Sequence, residues 1–374
     1  MDVLEHRRGP IAALWKLNLI KNYGWSDLLA EAFKPHDRAG YLAGRVVVQQ
    51  RNGYLVITDE GEVRAKLSGR LRHEAQEAGH PAVGDWVALS MNQAERTAVI
   101  QAVLPRRTAL VRRAADSVQT PQVVAANVDL AFIVTSMNGD LNPRRIERYL
   151  AAAWQSGARP VVVLTKSDIC AEATSLAAEV EALAAGCPVV IVSAREGRGL
   201  ETLLAHLAPG ETCVLIGSSG VGKSTLVNTL LGEQRMATQT IREADDRGRH
   251  TTSHRELALL PGGGLIIDTP GVREVGLVEA DEGVALVFDD IERLAETCKF
   301  GDCSHANEPG CAVQGALLSG DLDRGRWDHF RKLAQEAAAV EKTAARAFKD
   351  AERRRLGKAQ KTYRTARKDA RGGA

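Results

Sequence analysis

The residues Gly217-Ser218-Ser219-Gly220-Val221-Gly222-Lys223-Ser224-Thr225 follow the apolar run Thr212–Ile216 and precede the helix-like Leu226–Leu231. A Gly-x4-Gly-Lys-Ser motif between a strand and a helix forms a phosphate loop. Its glycines let backbone N–H groups turn inward around phosphate oxygens, and the helix N-terminus adds a favourable field. Lys223 is positioned to neutralise β- and γ-phosphates, and the Ser224 hydroxyl to bind Mg²⁺. Asp268-Thr269-Pro270-Gly271 ends a second apolar run, 45 residues beyond Lys223. A carboxylate there holds Mg²⁺ through water, and the Gly271 N–H reaches a terminal phosphate, so the loop senses its presence.

The base that accompanies those phosphates is specified elsewhere. Thr165-Lys166-Ser167-Asp168 resembles the Asn-Lys-x-Asp motif that selects guanine. Asp168 would accept from the guanine N1–H and N2 amine. Adenine lacks both donors and would leave the carboxylate unpaired. The Lys166 stem would cover the base. Thr165 stands where the common motif has Asn, so a weaker tether to the phosphate loop is expected. Ser193-Ala194 fits the companion motif, whose backbone N–H meets guanine O6. These base-reading residues precede the phosphate loop, the reverse of the usual order.

Gly248-Arg249-His250-Thr251-Thr252 lies between the phosphate-loop helix and Asp268, where a first switch segment belongs. A threonine there closes on Mg²⁺ and the γ-phosphate, and both Thr251 and Thr252 qualify. Val272 occupies the position at which many such enzymes carry a water-orienting Gln. Slow intrinsic hydrolysis is therefore expected, with His250 the nearest candidate for the missing group. A solvated switch residue without catalytic role is the competing reading of His250.

Cys298-x4-Cys303-x-His305-x5-Cys311 offers three thiolates and an imidazole. That donor set completes a tetrahedral Zn²⁺ shell with no open position, which points to one structural ion. Cys170, Cys187 and Cys213 are scattered and read as ordinary residues.

These residues need elements to hold them. Strands are expected at Val128–Val134, Pro160–Leu164, Val189–Val192, Thr212–Ile216, Glu256–Leu260 and Leu265–Ile267. Helices are expected at Asn142–Gly157, Ala171–Ala185, Leu200–Leu207 and Ser224–Leu231. Apolar strands alternating with helices imply a mostly parallel sheet covered on both faces, with its site at the carboxyl ends of the strands. Upstream, five short strands at Arg45–Val48, Tyr54–Thr58, Val63–Leu67, Trp86–Leu89 and Ala98–Leu104 fit a small OB-like barrel. Residues 38–113 hold twelve Lys/Arg against seven Asp/Glu, which favours an RNA-binding barrel over a purely structural one. Residues 325–370 have the composition of long helices. Residues 341–374 carry twelve Lys/Arg and four Asp/Glu, a net of +8 in a chain of net +2, and suit an anionic partner such as nucleic acid. No apolar run reaches eighteen residues and the start lacks a secretory layout, so a cytoplasmic protein without membrane association is expected. Residues 1–37 are weakly patterned, with a short amphipathic segment near Asn22–Leu29 and no function assigned.

Together, Ala125–Asp129, Thr165–Asp168, Gly217–Thr225, Gly248–Thr252, Asp268–Gly271 and the Cys298–Cys311 cluster resemble the ribosome small-subunit-dependent GTPase A family of circularly permuted bacterial GTPases. The resemblance implies a multidomain fold: an OB-like β-barrel, an α/β circularly permuted P-loop GTPase domain, and a zinc-binding α-helical C-terminal domain. The corresponding division is 1–37 extension, 38–113 barrel, 114–275 GTPase and 276–374 zinc domain with basic tail. It also implies late maturation of the small ribosomal subunit, with that subunit and its rRNA as partners and GTP/GDP as ligands. Hydrolysis would be stimulated by the subunit, with His250 a catalytic candidate beside Lys223. A monomer is expected. The competing classes are an RNA-binding module in which nucleotide only locks a conformation, and a nucleotide-dependent RNA-modifying enzyme, for which the sequence holds no second catalytic motif.

Overall fold

A computed structural model describes residues 19–50, 53–78, 80–92, 94–112, 122–138, 141–184, 186–232, 255–268, 281–339 and 342. Five strands, β1 (Leu42–Gln50), β2 (Gly53–Thr58), β3 (Gly61–Leu67), β4 (Trp86–Asn92) and β5 (Thr97–Val103), close on themselves in the order β1-β2-β3-β5-β4-β1. Closure removes free edges. Alternating inward residues, among them Val46, Val56, Val63, Val87, Leu89 and Ile100, fill the interior. Two short N-terminal helices, α1 (Leu19–Asn22) and α2 (Asp27–Asp37), cover one end, where Ile20, Leu29 and Phe33 meet Trp86 and Leu104. Helix α3 (Gly69–Ala78) between β3 and β4 was not anticipated. Its sequence is strongly polar, and Leu71 packs on the barrel core.

A two-stranded ribbon, β6 (Ala109–Arg112) with β7 (Gln122–Ala126), leads into the second layer system. There β8 (Leu130–Ser136), β9 (Arg159–Thr165), β10 (Val189–Ile191), β11 (Thr212–Ile216), β12 (Arg255–Leu259) and β13 (Leu265–Asp268) form a sheet in the order β10-β9-β8-β11-β13-β12. All its pairs are parallel except β12–β13. Helices α4 (Pro143–Gln155), α5 (Ala173–Leu183), α6 (Leu200–Leu204) and α7 (Lys223–Leu231) flank it. The expected strand at Val128–Val134 begins two residues later, because Asn127 adopts φ +52° and Asp129 is drawn to the start of β11 through the Thr212 N–H. The α4 start obeys local rules: Pro143 sits in the first turn, and the Asn142 side chain accepts from the Arg145 N–H.

The barrel and this sheet are continuous, since β1 pairs with β12 at Val48–Glu256 and Gln49–Arg255. Arg45, 2% exposed, pins the same joint. Its guanidinium donates to the carbonyls of Tyr23 (2.5 Å), Gly84 (3.2 Å) and Asn127 (3.1 Å), from three different parts of the chain. Burial lowers its pKa to about 10, so it stays charged at neutral pH. Arg106 forms a two-pronged bond with the buried Asp85. Two of the basic residues of this region therefore serve the fold rather than an external anion.

The C-terminal part comprises α8 (Asp281–Val287), α9 (Asp289–Glu296), α10 (Ala312–Ser319) and a helix over 324–339, α11. It lies on α4. Gly283 approaches so closely that a Cβ there would stand 2.2 Å from the Ala151 carbonyl. Glu147 of α4, 3% exposed, receives Arg326 Nη1 at 2.5 Å and lies 2.6 Å from His329 Nδ1. Arg326 also holds Asp290 with two bonds and lies over the Phe288 ring. A buried carboxylate needs such partners, and they lock α4 to α11. Among the described residues, no helix is long and apolar enough to cross a membrane.

Candidate nucleotide and metal sites

The phosphate loop joins the end of β11 to α7. Gly217 packs so tightly on β8 that a Cβ would meet the Val134 carbonyl at 2.2 Å. Gly222, with φ +96°, caps α7 in a conformation that side chains resist. Lys223 folds over the loop, its Nζ donating to the carbonyls of Gly217 (2.7 Å) and Ser218 (2.5 Å). Ser219, Gly220 and Thr225 are exposed, Ser218 and Ser224 half-buried, and Val221 buried.

The expected base-reading residues reach this loop directly. Thr165, at the end of β9, is 3% exposed. Its hydroxyl lies 2.5 Å from the Val221 carbonyl and 3.2 Å from that of Thr135. The tether expected to be weaker for want of an Asn is made by one short hydroxyl bond. Lys166 turns left-handed at φ +61°, which ends β9 and starts the tight turn Ser167–Ile169. Such a backbone costs on the order of 1 kcal/mol and persists where its surroundings enforce it. Its Nζ donates to the Gly220 carbonyl at 2.7 Å, across the mouth of the loop. Asp168 accepts from the buried Ser193 hydroxyl at 2.8 Å, and that bond, ahead of the field of Arg195 and Arg198, holds its carboxyl below the ordinary value. The Ala194 carbonyl accepts from Thr229 of α7 at 3.3 Å, joining the companion loop to the phosphate-loop helix. Thr165, Lys166, Asp168, Ser193, Ala194 and the loop thus converge at the carboxyl ends of β9, β10 and β11.

Asp268 closes β13, which pairs with β11 and so ends beside the loop. Gly248, His250, Thr251, Thr252, Gly271 and Val272 lie outside the described residues. One residue that sequence reasoning missed also enters the site. Arg145, in the first turn of α4, donates from Nη1 to the Ser218 hydroxyl at 2.6 Å.

The second cluster lies in the C-terminal part. One ligand atom each from Cys298, Cys303, His305 and Cys311 falls within 4.8 Å of the others. His305 Nδ1 is 3.5 Å from both Cys298 Sγ and Cys311 Sγ, which are 3.9 Å apart. Ligands about 2.0–2.3 Å from a tetrahedral ion have edges of roughly this length, so the group fits a metal. Cys311 caps α10 and accepts from the Gln314 N–H. Burial pushes the Cys298 thiol up, but the N–H groups of Ala312 and Val313 together with bonds from Cys311 and Cys303 bring the net value below that of an ordinary thiol, whereas burial pushes its neighbour Cys303 up to about 11. A helix N-terminus favours thiolate, the ligating form. The Glu308 carboxylate knits the intervening turn, accepting from the Ser304 hydroxyl and the N–H groups of Ser304, Ala306 and Asn307, and its pKa falls to about 2. The Trp327 ring meets His305 edge-on at 5.8 Å.

A parallel sheet ordered in this way, with base-reading loops ahead of the phosphate loop in sequence, defines a circularly permuted P-loop GTPase. The RsgA GTPase family profile matches residues 103–278. A relative from Opitutus terrae, a small ribosomal subunit biogenesis GTPase RsgA, is 47% identical over 88% of this chain and 94% of its own. Its counterpart from Streptomyces coelicolor is also 47% identical, over 88% and 89%. The crystal structure of YjeQ from Thermotoga maritima covers 80% of this chain and 99% of that one, with TM-score 0.59 and 26% identity. YloQ, a circularly permuted GTPase, shares the fold at TM-score 0.57 and 23% identity, covering 80% of this chain and 96% of its own. The chain belongs to the RsgA GTPase family and is a GTP hydrolase.

Proposed function

We propose that this GTPase assists late maturation of the small ribosomal subunit, hydrolysing GTP to GDP and phosphate under stimulation by that subunit and using the cycle to leave it. The relatives' names point to that subunit. The observation that carries the reading is the junction of the two halves of the nucleotide site, where Thr165 and Lys166 bond the carbonyls of Val221 and Gly220. Asp168 and the Ala194 backbone read guanine, and Lys166 covers it. Gly217 to Thr225 hold the phosphates. Lys223, already lying over the loop carbonyls, turns its ammonium to the β- and γ-oxygens and offsets the charge that builds there during in-line attack by water. Ser224, Asp268 and Thr251 or Thr252 would hold Mg²⁺, which would supply further charge compensation when bound. His250 orients the attacking water once the subunit has ordered the first switch.

The division into residues 1–37, 38–113, 114–275 and 276–374 belongs to the same reading, with the barrel and basic tail facing rRNA. The Cys298, Cys303, His305 and Cys311 cluster holds one structural Zn²⁺. The protein works as a cytoplasmic monomer without membrane attachment. GTP turnover with purified small subunits, with large subunits and without ribosomes tests this directly. Selective stimulation by small subunits is expected, and equal rates in all three would refute it in favour of an RNA-binding module that uses nucleotide only as a lock. Turnover that still rises many-fold in His250→Ala would remove His250 from the mechanism.

A further inference from the structure

We propose that Arg145 is a positioning residue for the phosphate loop, holding it in its phosphate-accepting shape through Ser218. The proposal rests on the reading that this loop takes GTP phosphates. Arg144 and Arg145 occupy the first turn of α4, which contains no acidic residue. A helix N-terminus carries partial positive charge, so two adjacent cations there oppose the helix dipole. A local rule broken in this way calls for a compensating role. For Arg145 the structure shows one: its Nη1 donates to the Ser218 hydroxyl at 2.6 Å, a charge-assisted bond spanning 73 residues of sequence.

Ser218 is the residue at which this bond has most effect. Its carbonyl accepts from Lys223 Nζ at 2.5 Å while its hydroxyl accepts from Arg145. The segment from Gly217 to Gly222 contains three glycines and has little stiffness of its own. Its shape therefore depends on external holds. Thr165 and Lys166 secure Val221 and Gly220 from the base-reading side. Arg145 secures Ser218, at the opposite end, from α4. That helix is a firm anchor, capped by Asn142 and locked through the buried Glu147 to Arg326 and His329.

A hold of this kind acts on the nucleotide-free loop, so its loss lowers the population of the binding-competent shape and weakens GDP and GTP alike. A uniform loss of binding raises KM and leaves kcat in place. In Arg145→Ala the Kd for fluorescent GDP should rise about fivefold, the effect of one hydrogen bond of roughly 1 kcal/mol. KM for GTP should rise in proportion, with kcat within about twofold of wild type. Ser218→Ala should reproduce the effect, and the double variant should be no worse than either single one, since both remove the same bond. Arg145→Lys should recover part of the affinity and Arg145→Met none. Unchanged GDP affinity in Arg145→Ala, fully additive single effects, or a fall in kcat at constant KM would each overturn the proposal. A wild-type protein that binds no guanine nucleotide would overturn the reading of the site, and the role of Arg145 with it.

Discussion

Replacing Thr165 by valine removes one hydroxyl and almost no volume, which makes it a clean probe of how the two halves of the nucleotide site are joined. The hydroxyl carries a single hydrogen. Of its two neighbours, the Val221 carbonyl at 2.5 Å is the better acceptor than that of Thr135 at 3.2 Å. Both ends of the bond are sealed from water: Thr165 is 3% and Val221 1% exposed. Leaving the Val221 carbonyl without its donor should cost about 1–3 kcal/mol. The protein can take that loss as lower stability or by letting the loop shift toward solvent. Since Val221 sits between Gly220 and Gly222, the shift is the softer response, and GDP affinity should fall roughly 5- to 150-fold. Thr165→Ser keeps the donor and gives up one methyl, so it should lose less than about 1 kcal/mol. Titration with fluorescent GDP, alongside melting curves without nucleotide, separates the two responses. If Thr165→Val bound GDP within twofold of wild type and melted at the same temperature, the tether would have no energetic weight and the argument would fail.

Three further outcomes follow from the geometry. Asp168→Asn should weaken GTP by roughly two to four orders of magnitude and favour xanthosine triphosphate, because two charge-assisted bonds of about 1.5–3 kcal/mol each are lost to guanine; competition binding of the two nucleotides checks it. Glu147→Gln should leave the Arg326 guanidinium without its buried carboxylate partner, at about 3–5 kcal/mol, so hydrogen exchange should rise across 324–339 while β11 stays protected. Cys303→Ser should abolish stoichiometric zinc by elemental analysis and raise hydrogen exchange across α10, because one of the four donors that fit a tetrahedral ion is lost.

The sequence made legible whatever is written in adjacent residues. The strand before the phosphate loop, Thr212–Ile216, was read to the residue because a five-residue buried run meets a glycine turn there. The Cys298, Cys303, His305 and Cys311 cluster was legible because its four side chains lie within fourteen residues. The five barrel strands were legible as short runs close to where they form, while α3 was missed because a helix resting on a barrel by Leu71 needs no apolar stripe. Arg45 and Arg145 were invisible for another reason. Their partners are 22, 39, 82 and 73 residues away, and a lone arginine in sequence looks the same whether it faces solvent or three carbonyls. Of the twelve basic residues counted in the barrel segment, Arg45 and Arg106 make their bonds internally, which a charge count does not reveal.

The permuted order gives the two appended parts different mechanical access to the site. The barrel is joined by a strand pairing, Val48 with Glu256 and Gln49 with Arg255 on β12. Next to β12 lies β13, which ends at Asp268. That hairpin begins at Arg255 and ends at Asp268, so it adjoins in sequence Gly248–Thr252 and the Asp268–Gly271 loop, the residues expected to sense the γ-phosphate. The C-terminal part instead grips α4 through Glu147, and α4 reaches Ser218 through Arg145. Its access is to the phosphate loop itself. A surface that engaged both parts would thus bear on the phosphate-sensing segments and on the phosphate cradle by separate routes, one of backbone pairing and one of buried charge. Reduced exchange cooperativity in Glu147→Gln without any change at β1–β12 would show the routes to be independent, and equal disturbance of both would show that they are one.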